Sequence, residues 1–150
     1  MCGGIAFKIN KVSRKDLQRY YSAREIDQIE QTGLAQSYFW SSKPVLPVER
    51  NQKVELIDWG NRDKKIDLPQ TGWAKQESIN EGKWAHFAPE FVQIPVERGF
   101  EKGIWFEPKT NNFQGLIVTQ DKIKKVYMVT KAASPDYQKL TKHNREPVEI

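Results

Sequence analysis

The first apolar stretch of the chain is short and alternates. Between Gly4 and Ile9, Ile5, Phe7 and Ile9 fall on one face and Ala6 and Lys8 on the other, the period of two that a half-buried strand requires. The period then changes. In "SRKDLQRYYSAREIDQIEQTG", Leu17, Tyr20, Tyr21, Ile26 and Ile29 recur near helical spacing, which predicts one helix or two ending at Gly33. Ser13 is placed to cap its start, with Asp16 three residues on. From Tyr38 onward the apolar runs are brief and cut by Pro, Gly and Asn: "PVLPV", "VELIDWG", "VQIPV", "GIWFEP", "FQGLIV" and "VYMVT". Such spacing predicts many short strands with irregular connections. "IWFEPKTNNFQGLIV" reads as a hairpin turning at Pro108 to Asn112, and "ASPDYQKLTKH" as a short helix entered through Ser134 and Pro135. The expected fold class is α+β, a β-rich single domain over residues 1–150.

Composition narrows the class without naming a function. With 38% hydrophobic and 29% charged residues the chain can bury a core and is not a disordered tail. Its longest apolar runs fall far short of the ~20 residues that span a bilayer, and the N-terminus lacks the basic-then-apolar pattern of a signal peptide. The expectation is a cytoplasmic protein without a membrane partner. A net charge of +5 favours polyanionic partners but is shared by many enzymes.

The single cysteine, Cys2, stands directly behind Met1 and is followed by Gly3 and Gly4. It cannot form an internal disulfide, which leaves a buried spectator, a free thiol or a nucleophile. If Met1 is removed, Cys2 carries an α-amine beside its thiol. An α-amine titrates near about 8 and a thiol near about 8.5, so this 1,2-aminothiol offers two nucleophiles close to neutral pH. With an aldehyde it forms an imine that sulfur closes into a five-membered thiazolidine; with an amide or ester it supplies nucleophile and base.

Four stretches, in order, resemble one family. After "MCGG" and its strand come Ser78-Ile79-Asn80, "IPVERGFEKG" at 94 to 103, and "VTKAASPDYQKLTKHNREPV" at 129 to 148. Together they resemble the SOS-response-associated peptidase (SRAP) family, whose members begin Met-Cys-Gly-Arg and shield abasic sites in single-stranded DNA by crosslinking to them. The last stretch is the most specific, matching a strand ending in Thr, a short helix and His-Asn-Arg-Met-Pro, with Glu146 in place of Met. The resemblance implies an SRAP-like barrel-like core of mainly antiparallel strands with a few short helices. It implies that Cys2 is the nucleophile, that Asn80 holds the amine or the opened sugar, that Glu101 is acid and base, and that His143 is the second proton-transfer group. Glu107, in "WFEP", is the rival carboxylate. For DNA it implies Gly3, Trp73 and Lys75 along the strand and Arg145 as a phosphate clamp. It implies no metal and no cofactor, a monomer, and a location at the nucleoid. The activity implied is self-modification; general proteolysis is not.

The sequence departs from the resembled family where Gly4 and Gly82 replace two arginines, and it stops with "HNREPVEI", where typical members continue. Each lost arginine should weaken phosphate binding and flatten its salt dependence. Two other readings stay open. Glutamine amidotransferases also start Met-Cys-Gly, although their Asn-Gly-Glu-Ile-type motif is absent here. A single-strand DNA-binding module with an inert Cys2 is the other. His86 is expected to be structural, and Trp59, Trp84 and Trp105 to belong to the core.

Overall fold

The alternating stretch forms β1 (Gly4–Lys8), and β1 lies between two antiparallel neighbours, β2 (Leu34–Tyr38) and β7 (Arg98–Glu101), in the computed structural model, which describes residues 1–150. Ala6, on the face opposite Ile5 and Phe7, is buried as well. β8 (Ile104–Phe106) completes this four-stranded sheet in the order β2-β1-β7-β8. The second sheet runs β11-β10-β9-β6-β3-β4. It comprises β3 (Val45–Arg50), β4 (Lys53–Asp58), β6 (Glu90–Pro95), β9 (Asn112–Gln120), β10 (Ile123–Ala132) and β11 (Arg145–Pro147). The short β5 (Trp73–Lys75) adds to β10 in parallel.

The helical stretch divides into α1 (Arg14–Tyr20) and α2 (Ala23–Thr32), because Tyr21 is extended and Ser22 starts a new helix with a capping box to Glu25. Ser13 caps α1 by accepting from the Asp16 amide, and Gly33 ends α2 in the left-handed conformation. α3 (Gln76–Asn80) is a single turn, and α4 (Pro135–Thr141) starts at Ser134 with Pro135 in its first turn. None of these helices is long and apolar enough to cross a membrane.

Three strand pairs turn through two residues of positive φ: Asn51-Gln52, Lys102-Gly103 and Asp121-Lys122. This primed geometry matches the twist of the flanking strands. The expected hairpin at 104 to 118 does not form. β8 pairs with β7 in the small sheet and β9 lies in the large one, so residues 107 to 111 carry the chain between sheets. The strands do not close into a barrel either. Past β4, Trp59 makes one parallel bridge to Val126 of β10, and Gly60 then turns away at φ +61, where a Cβ would lie 2.3 Å from the Thr71 carbonyl oxygen. The ladder ends there. The result is an α+β fold with two open sheets and four helices.

Both sheets feed one buried cluster of 22 residues, which includes Ile5 and Phe7 from the small sheet, Val48, Ile94 and Phe113 from the large one, Leu17 and Ile26 from the helices, and Cys2. Each large apolar side chain buried there contributes roughly 1.5–3 kcal/mol. Trp59 and Trp84 are core residues as expected, whereas Trp105 is only half-buried and His86 is exposed.

Candidate functional site at the N-terminus

The register of β1 determines where the N-terminus goes. Gly4 pairs with Phe100 of β7, and the ladder continues one residue outward through Gly3 N–H to the Phe100 carbonyl at 2.9 Å and Phe39 N–H to the Gly3 carbonyl at 3.0 Å. Trp73 then donates its indole N–H to the Cys2 carbonyl at 2.9 Å. Three hydrogen bonds thus pin the main chain, and the first two residues are delivered beside Glu101, the residue after Phe100 and the last of β7 before its tight turn.

Glu101 is buried, and its Oε1 lies 2.6 Å from the Met1 amine. Apart from that ion pair Oε1 has no hydrogen-bond partner. His143 completes the enclosure, with the amine 2.5 Å from Nδ1 and 2.7 Å from Nε2, and with Nδ1 3.8 Å from Glu101 Oε1. The imidazole is placed by the return from α4 to β11. Lys142 ends α4 in the left-handed conformation, the His143 amide donates to Thr141 Oγ1 at 3.3 Å, and the Arg145 amide donates to His143 Nδ1 at 3.1 Å. Because Nδ1 accepts, the neutral ring carries its proton on Nε2.

The electrostatics favour neutral nucleophiles. Burial draws the amine below its ordinary value of 8.0, against the Glu101 carboxylate, which pulls it up. Burial, helped by the nearby amine and Lys102, draws His143 below 6.5. The Cys2 thiol is fully buried, donates to the Gly4 carbonyl at 3.1 Å, and is pushed up to about 12 chiefly by that burial. At neutral pH the thiol is therefore protonated and the amine is the readier nucleophile.

Four buried side-chain polar atoms make no hydrogen bond, Glu101 Oε1, Gln120 Oε1, Tyr137 Oη and Arg145 Nε, and Glu101 Oε1 is instead ion-paired with the amine at 2.6 Å. Of these, Glu101 and Tyr137 belong to the site, and a buried polar atom without a partner is costly. Tyr137, on α4, is a residue that sequence reasoning missed. It shares the buried cluster with Cys2, and its phenol is raised by burial and further by the charges of Cys2 and Glu101. Its position in the sequence, an apolar residue on a short helix, looks like ordinary core.

The remaining candidates fall differently. Asn80 is the exposed last residue of α3 and makes no side-chain hydrogen bond to the amine, Glu101 or His143. Glu107 is exposed, one residue past β8, and stands away from the amine beside α4 in a groove with Ser134 and Asp136. Trp73 is half-buried, with its ring against Phe39 at 4.8 Å and Trp59 at 6.0 Å, so it supports the Cys2 main chain. Lys75 is exposed at the end of β5. Arg145 is held by Glu77 at 2.8 and 3.2 Å and by Thr130, so its guanidinium is already paired. Gly3 passes under Trp40, whose ring lies 3.0 Å from where a Cβ would stand.

Gly4 and Gly82, where the resemblance leads to an expectation of arginine, have local causes. At Gly4 a Cβ would meet the Tyr38 ring at 2.5 Å. Gly82, at φ +84, ends α3 with its amide bonded to Ile79 and the next amide to Ser78, a Schellman closure that favours glycine. Glu146 accepts from the Ser134 amide at 2.8 Å and closes the entry to α4.

No cluster of three or more His, Cys, Asp or Glu is arranged to hold a metal ion. No protein-family model matches the chain, and no curated protein matches its sequence.

Proposed function

We propose that the chain is a short, divergent SRAP-family protein that binds single-stranded DNA and, once Met1 is removed, forms a thiazolidine crosslink with abasic sites through Cys2. The observation that carries this reading is the α-amine enclosed by a buried carboxylate and an imidazole, with the only thiol one residue along. Met1's amine stands in for the amine that Cys2 acquires, whose nitrogen is at most about 3.6 Å away along the chain. Removing Met1 clears the space between Glu101 and His143 where the sugar carbon of an opened abasic site would come.

The chemistry then follows from the groups present. The neutral Cys2 amine adds to the aldehyde carbon, forming a C–N bond while the carbonyl oxygen takes a proton. The Glu101 carboxylate takes the nitrogen's proton and passes it to the resulting hydroxyl, which leaves as water and gives an imine. The thiol, until then held off by its high pKa, adds to the imine carbon, and its proton passes through His143 to the nitrogen. The balance is aldehyde plus aminothiol giving thiazolidine plus water, with no oxidant or reductant.

A second reading rests on the complete burial of Cys2, which also suits an inert core residue in a protein that only binds DNA. Incubation with single-stranded DNA bearing one abasic site, followed by a denaturing gel, separates the two. Crosslinking gives a heat-stable shifted band that Cys2→Ala abolishes; a complex seen only in native gels leaves the binding module.

A further inference from the structure

At the amine pocket Arg145 is committed to Glu77, which leaves Lys102 as the nearby cation. A different part of the surface carries unpaired cations. Between α1, the segment 42 to 44 and the segment 58 to 63 lies a cleft of about 410 Å³ lined by Arg19, Lys43, Arg62 and Lys125 against only two carboxylates, Asp58 and Asp63. The floor is internally satisfied: Lys125 pairs with Asp58 at 3.2 Å, and Tyr20 donates to Asp58 at 2.7 Å. The rim is not. Lys43 and Arg62 are exposed and pair with no carboxylate, and Arg19 is only loosely tied to Asp16 at 3.6 Å.

The same loop joins this cleft to the N-terminus. Trp40 is 61% exposed and lies over Gly3, with its ring 4.8 Å from Tyr38 and 6.0 Å from Phe100. Three residues later, at most about 11 Å along the chain, comes Lys43. Arg62 donates to the Ser41 carbonyl at 2.5 Å and stands 5.5 Å from the Phe39 ring, so the loop is braced from the cleft side. An exposed indole followed by cations without carboxylate partners is the pairing that single-stranded nucleic acid requires: a flat face for a base and charge for the phosphates.

We infer that Trp40 and the Arg19–Lys43–Arg62 rim form a nucleotide-binding track for single-stranded nucleic acid, leading away from the N-terminal pocket. This rests on the proposed DNA-binding reading and assigns it a surface. The partner contacts are phosphodiesters on the three cations and one stacked base on Trp40.

The test uses the full chain and a fluorescent oligo-dT without any abasic site, so that binding is measured apart from crosslinking. Each phosphate contact on a single strand contributes about 0.7 to the slope of log affinity against log salt. Replacing Arg19, Lys43 and Arg62 together by Ala should flatten that slope by about 2, so that wild type loses roughly 15-fold more affinity than the variant between 50 and 200 mM salt. Trp40→Ala should weaken binding roughly 5-fold or more while leaving the slope alone. Removing three exposed cations elsewhere, Arg24, Lys53 and Lys109, is the folding and net-charge control. A triple variant with the wild-type slope, or a control that flattens it equally, overturns the track. Equal wild-type affinity for duplex overturns the role of Trp40. A flattened slope without any crosslink at an abasic site leaves the track standing and removes the crosslinking reading; crosslinking with an unchanged slope does the reverse.

Discussion

The N-terminal pocket and the Arg19–Lys43–Arg62 cleft carry opposite physical characters. In the pocket, Glu101 and Cys2 are buried, amine and imidazole are pulled down, the thiol is pushed up, and polar atoms lack partners. In the cleft the side chains at the rim are exposed and solvated. Burial alters proton affinities and supports bond formation; exposed charge sustains long-range attraction and yields to salt. The two proposed functions are therefore separable by mutation. Changes in the pocket should stop chemistry and spare binding, and changes in the cleft should weaken binding and spare chemistry once DNA is saturating.

The largest effect after loss of Cys2 itself is expected at Glu101. Glu101→Gln keeps the shape but cannot donate the proton that expels water, so crosslinking at saturating DNA should slow by about 10²-fold or more. Glu107→Gln should leave the rate unchanged. A quenched time course on denaturing gels measures both, and equal slowing would dissolve the distinction between the buried and the exposed carboxylate.

The pH dependence comes next. The amine must be neutral to attack, and burial lowers its pKa, so the neutral fraction is reached at lower pH than in an unfolded chain. After Met1 removal the amine lies one residue further in, on the fully buried Cys2, where desolvation should act in the same direction. The crosslinking rate should therefore rise about tenfold per pH unit on its acid limb and level off below 8.0. A rate that kept climbing toward the thiol's value of about 12 would show that thiolate, not amine, attacks first.

The smallest effect concerns Tyr137. Its hydroxyl is buried without a partner, so Tyr137→Phe should raise stability to denaturant by roughly 1 kcal/mol or leave it unchanged. Crosslinking should nevertheless slow several-fold if the phenol meets the opened sugar. Loss of stability with an unaltered rate would make Tyr137 ordinary core.

Much of the fold follows from local signals. The alternation in β1, the caps at Ser13 and Ser134, the stop at Gly33 and the apolar runs of the large sheet all have local physical causes that single positions reveal. The failures are equally physical. Asn51-Gln52 and Asp121-Lys122 make primed turns without glycine, and Lys102-Gly103 sits in a charged run, whereas "PKTNN" looks more like a turn and instead crosses between sheets. β5, β8 and β11 have three residues each, too few for any period to register. Gly82 reads as a missing arginine but ends a helix. At the site, Cys2, Glu101 and His143 are brought together by the register of β1 on β7 and by the α4–β11 return. The Arg145–Glu77 pair, 68 positions apart, had no sequence signal, nor did the exposure of Asn80 and Trp40.

The central claim is that an N-terminal aminothiol closes a ring on a sugar aldehyde. Intact mass spectrometry of wild-type protein reacted with abasic single-stranded DNA, without any reductant, tests it most directly. The account predicts a conjugate whose mass is that of protein lacking Met1 plus DNA, less one water, and which survives denaturation. A conjugate that retains Met1, or one that appears only after borohydride reduction, would contradict it.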